Sequence, residues 1–200
     1  MGLSGKMEEH LHTSQVREMG IPVIKRFSGG GTVVVDEGTV FATLVFQADC
    51  VPDVECYPKP VMRWTEDLYG PVFLPFGNFE LHEQDYTFGS LKFGGNAQAI
   101  TKQRWLHHTS FLWNYNENLM ALLKAPERQP AYRQKRSHEE FLCRLKDHMP
   151  SKTGLMDGIC AALERKGYVL QVKPHQDNLS RHRNVAQMQS CVCATVLQWR

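Results

Sequence analysis

Two stretches of this 200-residue chain carry residue types whose spacing could do chemistry. The first is Lys25-Arg26-Phe27-Ser28-Gly29-Gly30-Gly31-Thr32-Val33-Val34-Val35-Asp36. Consecutive glycines let a ligand lie directly against the backbone and permit positive φ. Two cations and a hydroxyl stand just upstream. Backbone N–H groups and a guanidinium together suit an anion. The competing reading is a flexible loop or a hairpin bulge. The second stretch is Lys92-Phe93-Gly94-Gly95-Asn96-Ala97-Gln98. If it adjoins the first, the Lys92 ammonium would stabilise negative charge developing on a phosphate or carbonyl oxygen. A solvent-facing strand lysine is the commoner case, and Gly94-Gly95-Asn96 also reads as a simple turn.

Other candidates are weaker. Gly89 to Gly94 has the spacing of a nucleotide phosphate loop, but Gly95 stands where its lysine belongs. No βαβ alternation surrounds either glycine stretch, which argues against a dinucleotide fold. His107-His108 offers a base or a metal ligand. Adjacent strand residues point to opposite faces, so the pair reads as one histidine in and one out. Cys191-x-Cys193, with His175 and His182 upstream, lacks zinc spacing. No Gly-x-Ser-x-Gly elbow is present. Arg128, Arg133, Lys135 and Arg136 form a basic surface segment, either solvated or facing an acidic partner.

The elements that must position these residues alternate between strand and helix patterns. A helix is expected over residues 8–19, with Gly20 as its cap. Pro22-Val23-Ile24 and Thr32 to Val35 read as short strands on either side of the glycines. Asp36-Glu37-Gly38 is a turn, and Thr39 to Phe46 a long strand returning antiparallel. Val61 to Tyr69 reads as a short helix and Phe73 to Phe76 as an edge piece, since Pro71 and Pro75 oppose central pairing. Half-buried strands run through Leu91 and Ala99, broken by Gly94-Gly95. Trp105 to Trp113 is another strand. Helices are expected over Asn116 to Leu123, from a Ser137/Glu140 capping box to about His148, and over Thr153 to Lys166 with Gly167 as its stop. Residues 173–190 are polar without a clear period, the composition of disorder. Cys191 to Trp199 is an apolar run without an evident partner.

Composition bounds the function. Hydrophobic residues make up 42%, and the formal net charge is +2, too small to argue for nucleic acid. No apolar stretch is long enough to span a membrane. The N-terminus lacks a signal-peptide core. The six cysteines, at 50, 56, 143, 160, 191 and 193, read as reduced thiols.

The two glycine stretches together resemble the lipoate–protein ligase family of the biotin/lipoate ligase superfamily. The His107-His108-Thr109-Ser110 strand and the Gln129-Pro130-Ala131-Tyr132-Arg133 loop, leading to Arg136-Ser137-His138, are similar to later family segments. The resemblance implies an α/β fold of the α+β type, a curved, mostly antiparallel sheet with flanking helices. It implies a catalytic domain over residues 1–166 and an atypical tail over 167–200. The implied reaction joins lipoate and ATP, with Mg2+, into lipoyl-AMP and passes the acyl group to a lysine of a lipoyl carrier domain. Implied carriers are those of the 2-oxoacid dehydrogenase complexes or the glycine cleavage H protein, in mitochondria or cytoplasm. Lys92 would contact the acyl carbonyl and phosphate. Arg26, Ser28, Gly29, Gly30, Gly31 and Thr32 would line the acyl-adenylate pocket. Gly95, Asn96, Ala97 and Gln98 would edge the nucleotide site, with His108 among the binding residues. No metal-ligating residue is implied.

The chain departs from the family pattern at Val35, where a histidine is usual, at Val34, where an aromatic is, and at Lys25, where an arginine is. These positions bear on substrate preference. Family members also carry a helix and strands ahead of the segment that Gly2 to Lys6 resembles. Their absence predicts exposed apolar surface and an unpaired sheet edge. Two alternatives stand beside the ligase. One is an octanoyl- or lipoyltransferase of the same fold using a carrier thioester. The other is a non-catalytic module binding an acyl ligand or carrier.

Overall fold

A computed structural model describes residues 1–126 and 129–169, together with the backbone of 172–173, 183–187 and 192–198. Two short helices, α1 (Met7–His10) and α2 (Thr13–Glu18), replace the single helix expected over 8–19. The break falls at Leu11, which leaves helical geometry to bridge Leu123. Gly20 ends α2 as expected, at φ 64°. Ile21 N–H donates to Val16 O and Gly20 N–H to Arg17 O, closing the last turn.

β1 (Thr39–Gln47) follows the Asp36 turn. Val40, Ala42, Leu44 and Phe46 are fully buried on one face, the result of strict alternation. The turn is tight: Gly38 N–H donates to Asp36 Oδ1, and a Cβ at Gly38 would stand 2.1 Å from Asn114 O. Gly38→Ala is therefore expected to destabilise the protein by roughly 1–3 kcal/mol, read as a lowered urea midpoint.

α3 (Pro58–Phe73) is sixteen residues long, not the short helix expected. Pro58 and Pro60 fall in its first turn, where missing N–H groups matter little. Pro71 lies inside it, at a penalty of about 3 kcal/mol. Leu68, Tyr69, Val72 and Phe73 are all buried around it. At roughly 1.5–3 kcal/mol per side chain, their burial outweighs the proline. Phe73 to Phe76, expected as an edge strand, thus ends the helix and continues as a 3-10 turn, Leu74–Phe76.

Then come β2 (Phe79–His82), β3 (Asp85–Phe88), β4 (Leu91–Ile100) and β5 (Arg104–Leu112). β4 runs unbroken through Gly94-Gly95. The irregularity lies one residue earlier, where the register passes from Thr87↔Lys92 to Tyr86↔Gly94 and leaves Phe93 as the extra residue. Gly94 is needed for packing: a Cβ there would press on the Tyr86 and Phe111 rings at 3.1–3.3 Å.

α4 (Glu117–Met120) is capped by Asn116. α5 (His138–Phe141) has the Ser137/Glu140 capping box, but stops after one turn instead of reaching His148. Its exit is set by the sheet, because Leu142 bridges Lys92 and Cys143 N–H donates to Lys92 O. α6 (Lys152–Arg165) buries Leu155, Ile159 and Leu163, and Gly167 at φ 87° stops it as expected.

In the tail, β6 (Val172–Lys173), β7 (Arg183–Gln187) and β8 (Val192–Gln198) form strands, where disorder and a partnerless run were expected. β8 lies antiparallel to β1, giving the order β2-β3-β4-β5-β1-β8-β7-β6. β1 is therefore an interior strand, not an open edge; apolar Val192 and Val196 extend the ladder that β1 offers. The remaining tail, with His175, His182 and Cys191, lies outside the described residues, as does Arg128.

The result is an antiparallel sheet with flanking helices, as the resemblance implied. α3 and α6 cover one face, over a core that includes Phe46, Trp105, Phe73, Phe93 and Phe111. A smaller cluster of Leu11, Val16 and Leu122 gathers α1, α2, Ile21 and Val23 near α4. Cys56, Cys143 and Cys160 are free thiols. Cys50 is disulfide-bonded, a departure from the expectation of thiols throughout.

Candidate functional site

The glycine loop is held by its own arginine. Arg26 Nη2 donates to Gly29 O at 3.1 Å and to Gly31 O at 2.9 Å. The N-terminal residues support it from outside: Leu3 N–H donates to Ser28 O, and Arg26 N–H to Met1 O. Gly2 fits only as glycine, since a Cβ there would stand 2.0 Å from Gly30 O. Gly30 takes φ 96°, where a side chain is strained.

The strands expected on either side of the loop do not form. Residues 21–26 and 32–36 have no regular secondary structure. Among the described residues no ladder takes up their backbone groups, so β-branched composition alone does not make them strands. Ile24 and Phe27 are more than 70% exposed, and Val33 and Val35 are also exposed.

The loop folds onto β4. A Cβ on Gly30 would meet Asn96 O at 3.5 Å and the Ala97 side chain at 3.8 Å. The two glycine stretches thus come together, with Arg26 between them. Arg26 Nε and Thr32 Oγ1 are buried without a partner. Ala97 faces the loop. The Asn96 and Gln98 side chains are engaged elsewhere: Asn96 bonds Gln84 O and Thr109, and Gln98 bonds His107 Nδ1. Asn96 therefore meets the loop through its carbonyl.

Lys92 folds back over Gly95, where a Cβ would lie 3.4 Å from both Cε and Nζ. Its ammonium pairs with Asp85 Oδ1 at 2.7 Å. Asp85 Oδ2 accepts a 2.9 Å bond from the Tyr132 hydroxyl. Asp85 is the register partner of Gly95 across the β3–β4 ladder.

Tyr132 belongs to the 129–136 loop, which differs from the expected basic surface segment. Arg133 is buried and Arg136 half-buried, and both guanidinium groups lie over the Phe141 ring. Arg136 Nη2 donates to Ser90 O and Tyr132 O, tying the loop to the β3–β4 turn. Gln129 Oε1 and Arg133 Nη2 are buried without partners. His138 beside this loop is lowered to about 4 by burial, then by the charges of Arg133 and Lys92.

The histidine pair divides as expected. His107 is fully buried on the helix side, between Tyr86, Thr109 and Gln98. His108 faces the loop; Thr43 Oγ1 lies 2.7 Å from its Nδ1, and its ring lies 4.6 Å from that of Phe41. Burial and then the Arg26 charge lower His108 to about 4. Burial, with His108 second, lowers His107 to about 3. A histidine kept neutral in the fold but free to protonate when unfolded contributes stability that is present above pH 6.5. That stability is lost as pH falls from 6.5 toward the folded value. For buried His107 the slope is about 1.4 kcal/mol per pH unit. Urea midpoints should drop steeply between pH 6.5 and 5, and His107→Gln should flatten that drop.

Lys92, Arg26, the three glycines, Thr32, Gly95, Ala97 and His108 therefore gather on one face of the sheet. Ser28 is buried at the loop's base. Sequence reasoning gave Asp85, Tyr132, Phe41 and Thr43 no role. Tyr132 lies in the 129–133 segment similar to the family, but only the bulged register places Asp85 beside Gly95. Among the described residues no group of three or more His, Cys, Asp or Glu could hold a metal. Nor is any described helix long and apolar enough to cross a membrane.

The model of the lipoyl protein ligase A/B catalytic domain matches residues 1–166. The chain is 28% identical over 180 residues to a Plasmodium falciparum (isolate 3D7) protein named inactive lipoate–protein ligase 2, covering 73% of this chain and 47% of that one. It is 29% identical over 108 residues to lipoate–protein ligase LplJ of Bacillus subtilis (strain 168), covering 53% and 31%. It thus spans less than half the length of these curated relatives. Among solved structures, lipoate–protein ligase A bound with ATP superposes with a TM-score of 0.68 at 21% identity, over 82% of this chain and 66% of that one. The bipartite ligase described with its E2 lipoyl domain from Thermoplasma acidophilum gives 0.68 at 19%, over 82% and 65%. Plasmodium falciparum LipL1 in complex with lipoate gives 0.61 at 17%, over 82% and 45%. These likenesses establish the fold, and the family model, reaching across residues 1–166, makes this chain a member of the lipoyl protein ligase A/B catalytic-domain family.

Proposed function

We propose that this chain attaches a lipoyl or octanoyl group to a lysine of a lipoyl carrier domain through an acyl-adenylate. The observation that carries the reading is the glycine loop seated on β4, with Arg26 Nε and Thr32 Oγ1 buried and unpartnered beside it. A buried donor without a partner is destabilising unless a ligand supplies one. An acyl-adenylate offers phosphate and carbonyl oxygens of the right kind. In the first step a lipoate carboxylate oxygen attacks the α-phosphorus of ATP and pyrophosphate leaves. In the second the carrier amine attacks the acyl carbonyl and AMP leaves.

Lys92, with an ammonium donor beyond the one given to Asp85, would hold the oxygens on which charge builds. Arg26 would hold the loop closed and face the phosphate. Ala97 and the Asn96 carbonyl would floor the site. Mg2+ would accompany the ATP phosphates, as that ion usually does. ATP is supported by the ATP-bound relative of the same fold. A carrier lipoyl domain is supported by the archaeal ligase described with its own. We extend this to the carriers of the 2-oxoacid dehydrogenase complexes and the glycine cleavage H protein, in mitochondria or cytoplasm.

The first step is tested by lipoate-dependent exchange of labelled pyrophosphate into Mg-ATP. Exchange that needs lipoate is expected; octanoate exchanging better would reassign the acyl group. No exchange from folded protein, together with acyl transfer from a carrier thioester, would move the chain to the transferase reading. A second reading is favoured by the relative named inactive: a domain that binds the acyl-adenylate without completing transfer. Tight lipoyl-AMP binding without carrier modification would identify it.

A further inference from the structure

We propose that Asp85 is a positioning residue for Lys92, and that Tyr132 makes the 129–136 loop part of the same latch. This rests on the ligase reading for its kinetic consequences, but not for its geometry.

Lys92 is fixed from both ends. Its backbone carbonyl accepts the Cys143 N–H, and its ammonium meets Asp85 Oδ1 at 2.7 Å. A lysine side chain has four rotatable bonds, and left alone on a strand it samples many directions. Here its last carbon and its nitrogen lie against Gly95, 3.4 Å from where a Cβ would stand. Asp85 defines that direction because it is the register partner of Gly95. The ammonium keeps donors for a substrate beyond the one given to Asp85. Both charged groups are largely buried, with 25% and 14% of their side chains exposed. Removing the carboxylate would leave the ammonium without its partner and free to swing toward solvent.

Asp85 is itself oriented. Its second oxygen takes the Tyr132 hydroxyl at 2.9 Å. Burial and the adjoining carboxylate push the Tyr132 phenol well above its usual range, so it stays a donor. The Tyr132 ring stacks on His82 at 4.9 Å and packs on Phe141 at 5.2 Å. Arg136 ties the same loop to Ser90, two residues before Lys92. A shift of the 129–136 loop would therefore reach Lys92 through one hydroxyl and one carboxylate.

Two measurements test this. The first is amine labelling of the full chain with an acetylating reagent, read residue by residue by mass spectrometry. Lys92 is expected to label slowly in the native protein. It should label at least about fivefold faster in Asp85→Asn and in Tyr132→Phe, with Lys59 and Lys102 as unchanged internal references. Equal Lys92 labelling in all three proteins would overturn the latch, whether or not the protein is a ligase. The second is a kinetic cycle. Asp85→Asn should lower the turnover number for carrier modification by roughly tenfold or more, with half-saturating lipoate and ATP within about twofold. In a Lys92→Met background it should have no further effect. An equal loss in both backgrounds would mean that Asp85 does not act through Lys92. If the native chain modifies no carrier, the ligase reading fails while the labelling result still decides the latch. Tyr132→Phe removes only a hydroxyl, which keeps the test valid should Asp85→Asn fold poorly.

Discussion

Lys92→Met is expected to cut carrier modification by roughly 10²–10³-fold, the usual loss when one donor to a developing oxyanion is removed. Methionine keeps most of the apolar stem, so packing over Gly95 is largely retained and the loss reports the charge. The contrast is clearest between the two half-reactions. If Lys92 serves both the phosphate and the acyl carbonyl, pyrophosphate exchange and transfer from preformed lipoyl-AMP should both fall. Binding of lipoate alone should change little, because the ammonium's work comes when charge builds. A variant with normal exchange and slow transfer would confine Lys92 to the second step. Rapid-quench assays with lipoyl-AMP separate these outcomes.

Arg26→Ala should weaken lipoyl-AMP binding by about 10²-fold. The guanidinium donates to two carbonyls of the glycine loop, and its Nε is left unpartnered. Hydrogen bonds to a charged group contribute roughly 1.5–3 kcal/mol each. Losing this clamp releases Gly30 from Asn96 and Ala97 and removes a cation from the phosphate's expected position. Arg26→Lys should rescue little, because a single ammonium cannot reproduce the planar fork that reaches both carbonyls. Calorimetric titration with lipoyl-AMP or a non-hydrolysable analogue measures this. Unchanged affinity in Arg26→Ala would place the ligand away from the loop.

The central geometry was legible because it is carried by glycine. A glycine triplet after a basic pair, and a lysine ahead of a second glycine pair, can be read without a structure. They meet because backbone must approach backbone. The histidine pair, the Ser137 capping box and the Gly20 and Gly167 stops were legible for similarly local reasons. What escaped depended on partners far along the chain. Thr32 to Val35 has strand composition, but among the described residues no ladder lies beside it. Pro71 reads as opposing strand pairing near Phe73, and its place inside α3 emerges only when the burial of Tyr69, Val72 and Phe73 is counted. The exit from α5 is set by Lys92, fifty residues away, through the Leu142 bridge. The bulge at Phe93 decides that Asp85 stands opposite Gly95, and periodicity carries no trace of it. The apolar run after Cys191 found its partner in β1. Of these, the register around Phe93 matters most for chemistry, since it brings a carboxylate to the lysine.

The most direct test of the central claim is the intact mass of a lipoyl carrier domain incubated with this chain, lipoate and Mg-ATP. A gain of one lipoyl group that requires ATP, and is lost with Lys92→Met, is the predicted result. An unmodified carrier in the presence of folded protein would contradict it, as would modification that proceeds equally well without ATP.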